Sequence, residues 1–332
     1  MTQPLISIII TSYNRAHYIE QAIQSALAQD YPRLEIVISD NHSTDNTREV
    51  LQKYLPDPRI KYFVNEVNIG MIPNFKLATE DRATGKYVSY ISSDDYLCCP
   101  SFISKAVELI NKYPDVVLVA AKNATLFNDS GIIEEDDSGH VFQKEFMPGM
   151  ELFEKFPEWL LPGWGAVLMD RRQLIEADIF GSKAQSLDYE ANLKLILNGN
   201  AAFINQPSYI FRKHDSNASG FMTYEAHVNN LEFIENTCRY ARELNKVKDL
   251  EKWRKRIYSE YLNRNSTVLL KSREEFGQLL QYVRKEKKLH FTLFNAPKLT
   301  LNSFVYRNYK LLFPALKWVF PKKYEAIKKL AG

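Results

Sequence analysis

The chain has 332 residues, 45% hydrophobic and 25% charged, with a formal net charge of +3. That balance belongs to a globular protein able to bury a sizeable core, and it excludes disordered and fibrous classes. The charge is uneven: residues 1–238 carry 20 Lys and Arg against 32 Asp and Glu, whereas residues 239–332 carry 23 against 8. Such a split predicts a basic appendage that meets an anionic surface, with a membrane, a nucleic acid or a substrate as the candidates. Cys98, Cys99 and Cys238 make no disulfide framework, which points to a reducing compartment. The opening residues lack a basic segment and have only a short apolar run, so neither a signal peptide nor an anchor is expected. No apolar run approaches the roughly 18 residues of a spanning helix. The expected location is cytoplasmic.

Strand-like and helix-like pieces alternate over the first 125 residues. Leu5–Ile10 is a continuous β-branched run, the mark of a strand buried on both faces. Tyr18–Ala28 has helical apolar spacing, Leu34–Ser39 is a second strand, and Thr44–Tyr54 a helix with Ser43 as its cap. Ile60–Val64 is a third strand. Pro73–Thr84 reads as a helix ended by Gly85, and Tyr87–Ile91 as a fourth strand. Pro100–Lys112 is a helix and Val116–Ala121 a strand. Residues 126–150 read as an acidic loop or hairpin. Trp164–Met169, Ala201–Ile204 and Tyr209–Arg212 read as strands around a helix at Leu187–Leu197. Helices are predicted over Tyr224–Leu244, Leu250–Leu270 and Arg273–Lys285. The βα alternation predicts an α/β fold on a mostly parallel sheet, with ligands at the carboxyl ends of the strands.

Polar clusters follow four successive strands: Thr11 to Arg15, Asp40 to Ser43, Asn65 with Asn68 to Gly70, and Ser92 to Asp95. Each alone reads equally as turn chemistry; together they mark one rim. Adjacent carboxylates such as Asp94 and Asp95 repel unless a cation offsets them, and a hard divalent metal does so while bridging to diphosphate oxygens. Asp40 is placed to accept from a base or ribose, Arg15 to meet a phosphate, and Tyr13 to stack on a base. Asp188 opens a helix, either as a simple dipole-stabilised carboxylate or as a general base. His214 is either a loop histidine or a group that ligates metal or donates to phosphate.

Together these pieces resemble the family 2 inverting glycosyltransferases of bacterial surface-polysaccharide type, with the GT-A fold. The likeness runs over residues 4–220. It is carried by Ile6 to Arg15, by Asp40-Asn41-His42-Ser43-Thr44-Asp45, by Asn68-Ile69-Gly70, by Gly85 to Asp95, by Leu187-Asp188-Tyr189-Glu190, and by Tyr209 through His214 to Ser219. The resemblance implies that Thr11, Tyr13 and Asp40 hold the nucleotide, with Arg15 near the phosphates and Asn68 in the donor site. It implies that Asp94 contacts ribose or metal, that Asp95 and His214 complete a Mn2+ or Mg2+ site, and that Asp188 deprotonates the acceptor. Three departures stand out. Ser92-Ser93 occupies positions often acidic, Asn41-His42 replaces Asp-Gly, and Met71 to Asn74 departs from the usual helix start after Gly70.

The implied reaction moves a sugar, with a UDP-sugar favoured as donor, onto a hydroxyl of a glycan or lipid-linked glycan. The expected domains are a catalytic one over 1–222, with a nucleotide-sugar half over 1–125 and an acceptor half over 126–222, and a basic helical region over 223–332. Within that region Phe304–Leu330 interleaves Tyr306, Tyr309, Phe313, Trp318 and Phe320 with seven Lys and Arg. It suits a helix lying on the cytoplasmic face of a membrane, and equally a packed subdomain with a solvated basic face. Two other readings stand beside this one. A sugar nucleotidyltransferase needs a glycine-rich loop after the first strand, which Thr11 to Arg15 lacks. A non-catalytic carbohydrate-binding relative would not need Asp94, Asp95 and Asp188 together. No nucleic-acid-binding motif is present.

Overall fold

A computed structural model describes residues 3–136, 139–158, 163–184, 186–214, 217, 223–269 and 273–289. The chain divides into two compact units, residues 1–222 with 229–250, and residues 223–228 with 251–332. The first unit is the α/β body that alternation predicts. Its elements are β1 (Ile6–Ser12), α1 (Ile19–Leu27), β2 (Leu34–Asp40), α2 (Thr47–Leu51), β3 (Ile60–Val64), α3 (Met71–Leu77), β4 (Tyr87–Ser92), β5 (Tyr96–Leu97) and α4 (Phe102–Lys112). They continue with β6 (Val116–Phe127), β7 (Ile132–Glu135), β8 (Phe146–Met147), α5 (Gly149–Lys155), β9 (Val167–Asp170), α6 (Arg171–Glu176), α7 (Leu187–Asn198) and β10 (Asn200–Lys213).

The sheet runs β3-β2-β1-β4-β9-β6-β10-β5, with β7 added to β6 and β8 to β10. Strands β3, β2, β1 and β4 are parallel, and β9 enters antiparallel between β4 and β6. Register places the polar strand ends level: Thr11 lies beside Ser92, Ser12 beside Asp40, and Asp40 beside Val64. Ile6, Ile8, Ile9 and Ile10 are fully buried, as expected of a strand covered on both faces.

Three boundaries differ from the sequence reading. The two strands read at Ala201–Ile204 and Tyr209–Arg212 are one, β10, whose register against β6 shifts at Pro207, where a ladder donor is missing. The helix expected over Pro73–Thr84 starts two residues earlier and widens into a π turn over Ala78–Arg82. The helix read over Tyr224–Leu244 is two, α8 (Tyr224–Asn230) and α9 (Glu232–Leu244). Helix α9 belongs to the first unit, where it buries Phe233, Ile234, Thr237, Cys238 and Ala241. The first unit therefore extends past residue 222.

The second unit contains α10 (Leu250–Leu269) from Glu251 onward and α11 (Arg273–Lys285). It buries Trp253, Ile257, Tyr258 and Leu262 with Leu279 and Val283. The Tyr261 hydroxyl lies 3.0 Å from His227 Nδ1. Among the described residues no helix is long and apolar enough to cross a membrane. The basic aromatic segment Phe304–Leu330 lies outside the described residues, as do Asp215, Ser216 and Ser219.

Candidate functional site

Two cavities open along the carboxyl rim of the sheet and share Phe75 and Ser92. The first, about 210 Å³, is lined by Thr11, Ser12, Tyr13, Arg15, Asn41, Met71, Asn74, Phe75, Ser92, Ser93 and Asp94. Its floor follows from strand ends that cannot continue. Asn14 takes a left-handed backbone (φ 53°) and turns the chain out of β1. The loop is pinned to the one after β2: the Asn14 amide donates to Ser43 Oγ at 2.9 Å, and the Ala16 amide to Asp45 Oδ2 at 3.0 Å. That pinning aims Arg15, whose Nε lies 3.4 Å from Asp94 Oδ2.

His214, just past β10, brings Nε2 to 3.2 Å from the same Asp94 oxygen. Its ring stacks on Tyr18 with centroids 5.2 Å apart, and its amide donates to Asn217 Oδ1 at 2.6 Å. Asp94 and His214 offer a hard oxygen and an imidazole nitrogen at one point, a donor set that fits Mg2+ or Mn2+. Among the described residues no group of three or more His, Cys, Asp and Glu gathers to hold a metal. A cation here would need further ligands from a bound phosphate.

Asp95 sits differently. It is 3% exposed, and both carboxyl oxygens are engaged, Oδ2 by the Tyr209 hydroxyl and Oδ1 by the Arg212 amide, each at 2.7 Å. Burial, and then the charge of Asp94, push its carboxyl up to about 7, while those two donors pull the other way. Asp95 thus ties β10 to the end of β4.

Asp40 is likewise inward. It is 1% exposed, and it accepts from the Ser43 amide and the Tyr62 hydroxyl, each at 2.8 Å. The side chain that reaches the cavity from this loop is Asn41. Asn68 stands behind it, its Oδ1 accepting from Asn41 Nδ2 at 2.7 Å. Beneath lies a buried polar network that sequence reasoning missed. Asn74 Nδ2 donates to the Ser39 carbonyl at 3.0 Å, Asn65 Nδ2 to Asn41 Oδ1 at 2.9 Å, and Arg82 to Ser39 Oγ at 2.6 Å and Asn65 Oδ1 at 2.5 Å. Fully paired networks of this kind fix one side-chain arrangement. Arg82 carried no local signal, because its role depends on the π turn that brings it under β2.

The second cavity, about 280 Å³, is lined by Phe75, Tyr90, Ser92, Asp95, Asn123, Asp136, Gly163, Trp164, Gly165, Asp188, Tyr209 and Phe211. Asp188 lies at the start of α7, and its hydrogen bonds come from backbone amides, that of Tyr189 at 2.9 Å. Burial raises its carboxyl to about 6. A Cβ at Gly163 would come within 2.8 Å of Asp188 Oδ2, so the glycine keeps open the approach to that oxygen. Trp164 stacks on Tyr90 (4.6 Å between centroids) and meets Phe75 edge-on at 5.4 Å. Of the residues singled out in the sequence, Thr11, Tyr13, Arg15 and Asp94 line the first cavity, Asp95 and Asp188 line the second, and Asp40 and Asn68 support the wall. Asn123, Asp136 and Trp164 were not anticipated as site residues.

Comparison with known proteins gives this rim a context. The family model described as "Glycosyl transferase family 2" matches residues 7–138. The chain is 29% identical over 218 residues to a chondroitin synthase of Pasteurella multocida (strain Pm70), a match covering 65% of this chain and 21% of that protein. The chain therefore spans about a fifth of that relative's length. Among solved structures, it is similar to S. aureus TarS 1-349 in complex with UDP-GlcNAc, with TM-score 0.65, 20% identity, and coverage of 84% of this chain and 81% of that one. It is also similar to the mannosyltransferase PcManGT from Pyrobaculum calidifontis in complex with GDP-Man and Mn2+, with TM-score 0.51, 15% identity, and coverage of 97% and 89%. The fold is the GT-A-like α/β architecture that the sequence resemblance implies.

Proposed function

We propose that this chain, whose residues 7–138 match the family model described as "Glycosyl transferase family 2", transfers a sugar, with inversion, from a nucleoside-diphosphate sugar to a glycan hydroxyl. The observation that carries this reading is the meeting of the two cavities at Phe75 and Ser92. One holds Arg15 and Asp94, and the other holds the enclosed carboxyl of Asp188. The donor nucleotide would lie in the first cavity, with Tyr13 against the base and Asn41 reading its edge. A UDP-sugar is the favoured donor, in keeping with the UDP-GlcNAc held by TarS. Sugar C1 would then sit at the junction.

The residues divide the chemistry between them. Arg15 orients the diphosphate. Asp188 accepts the acceptor's proton as its oxygen attacks C1 and the bond from C1 to the diphosphate oxygen breaks on the opposite face. The surrounding walls exclude water, which would otherwise take the sugar. A divalent cation held by Asp94, His214 and the donor's own phosphates would offset the charge that grows on the leaving group. We place the metal on this pair rather than on Asp95, whose oxygens already hold β10. The catalytic unit we propose comprises residues 1–222 with 229–250. The basic region beyond it is proposed to carry the enzyme to an anionic membrane surface, where a lipid-linked glycan would be the acceptor.

A thermal-shift panel of UDP-, GDP- and dTDP-sugars, each with and without Mn2+, tests the reading. One nucleotide class should raise the melting temperature in a metal-dependent way, and the same donor should release its diphosphate when acceptor is added. A folded protein that responds to no donor and releases no diphosphate would remove the proposal.

A further inference from the structure

We infer that the sugar entering the Asp188 cavity as acceptor is uncharged, that uronic acids are excluded, and that Asp136 is a residue that selects between them. The inference rests on the glycosyltransferase reading and deepens it, because it concerns the second cavity alone. Among the described residues, the lining of that cavity includes three carboxyl groups, those of Asp95, Asp136 and Asp188, and no Lys, Arg or His. Asp136 is held in place: its Oδ1 accepts from the Thr125 hydroxyl at 3.0 Å, and its amide donates to the Asn123 carbonyl at 3.1 Å. Arg212, whose amide bonds Asp95, carries its guanidinium elsewhere, 5.1 Å from the ring centre of Tyr18 and 5.7 Å from that of Tyr96.

The remaining wall suits a neutral pyranose. The indole of Trp164, stacked on Tyr90, offers a flat apolar surface for the C–H face of a sugar ring. Its Nε1 is buried and has no hydrogen-bond partner among the described residues. A buried donor without an acceptor is costly, and a sugar oxygen would satisfy it. Asn123 adds an amide able both to give and to accept. A hydroxymethyl or acetamido group finds partners in this wall. A carboxylate would shed its water and face like charges, with no cation among the described lining residues.

The test compares acceptors that differ only at C6. With whichever of UDP-glucose, UDP-galactose, UDP-N-acetylglucosamine or GDP-mannose is turned over, transfer is measured to p-nitrophenyl β-glucoside and p-nitrophenyl β-glucuronide. The wild-type protein should favour the glucoside in kcat/KM by at least about tenfold, which corresponds to about 1.4 kcal/mol. Asp136→Asn should narrow the ratio several-fold, a change that a general loss of folding would not produce because both acceptors would fall together. Equal or better use of the glucuronide by the wild-type protein overturns the inference and leaves the glycosyltransferase reading intact. An Asp136→Asn ratio that matches the wild type overturns the role of Asp136. Absence of any donor turnover removes the function on which the inference stands, and the inference with it.

Discussion

Asp188 combines two properties that a base in a displacement needs, enclosure and a raised proton affinity. Its carboxyl rises to about 6 through burial, so transfer should climb as pH passes 6 and level off above it. At pH 5 about a tenth of the plateau rate remains if one ionisation governs. Asp188→Asn should lower kcat by about 10²–10⁴-fold with donor affinity retained. The same raised affinity makes the ionised carboxyl a cost to folding. That cost is absent below the unfolded value near 3.8 and complete once pH exceeds about 6. Urea titrations at pH 8 should therefore find the Asn variant more stable than the wild type by up to about 3 kcal/mol, with little difference at pH 4. Equal stability at both pH values would contradict this. The two aspartates at the end of β4 separate by the same reasoning. Asp94→Asn and His214→Ala should each weaken Mn2+-dependent binding of UDP by at least about tenfold in calorimetry, with the melting temperature little changed. Asp95→Ala instead strands the Tyr209 hydroxyl and the Arg212 amide, and should cost about 1–3 kcal/mol of stability. If Asp95→Ala loses only metal-dependent binding, the division of labour is wrong. The sequence made the rim legible, because Thr11, Arg15 and Asp94 follow strands that end together. It did not separate Asp94 from Asp95, or Asp40 from Asn41. Which of two adjacent side chains turns away from the first cavity is decided by its partners, Tyr209 and Arg212 of β10 for Asp95 and Tyr62 for Asp40, all remote in sequence.

At the scale of elements, the parallel half of the sheet was legible and the antiparallel half less so. Runs such as Ile6 to Ile10 declare a strand buried on both faces from composition alone. β9 and β5 are short, and their pairings join segments far apart in sequence, so no local pattern announces them. The end of the sheet opposite the cavities has an anchor of its own in Glu35. Its carboxylate accepts from Ser7 Oγ, Lys61 Nζ, and the amide and hydroxyl of Thr84. It thus joins β1, β2 and β3 to the segment entering β4. Burial alone would raise this carboxyl, but Lys61, Ser7 and Thr84 outweigh it and bring it down to about 2. A depressed carboxyl stabilises the fold above its unfolded value of about 4.5, and that contribution is lost as pH falls toward 2. Glu35→Gln should therefore lower unfolding stability by about 2 kcal/mol at pH 7, with the gap closing at pH 2–3. Chemical denaturation followed by circular dichroism at the two pH values measures it. A gap that is unchanged at low pH would mean that the side chain acts through its shape and not through its charge.

At the scale of the whole molecule, the acidic and basic halves of the chain correspond only loosely to its two compact units. Helix α9 and the residues up to Leu250 carry several of the basic side chains, yet they pack with the acidic α/β body. The surplus of cations is therefore concentrated beyond Glu251, and the segment Phe304–Leu330 adds to it an interleaving of aromatic with basic residues. Basic side chains near an anionic bilayer contribute about 1 kcal/mol each, and the attraction fades as salt shortens the Debye length. Interleaved Tyr, Phe and Trp add affinity for the interface that salt does not remove. The full chain should therefore sediment with phosphatidylglycerol vesicles at low salt and bind phosphatidylcholine vesicles far less. A chain ending at Leu299 should lose at least about tenfold in affinity, since several cations and the aromatic anchors go together. Partial retention by the full chain at high salt, with none by the shortened one, would assign the residual affinity to the aromatic side chains. If the two chains bind equally, the basic surplus serves another purpose, and the acceptor need not be presented at a membrane at all.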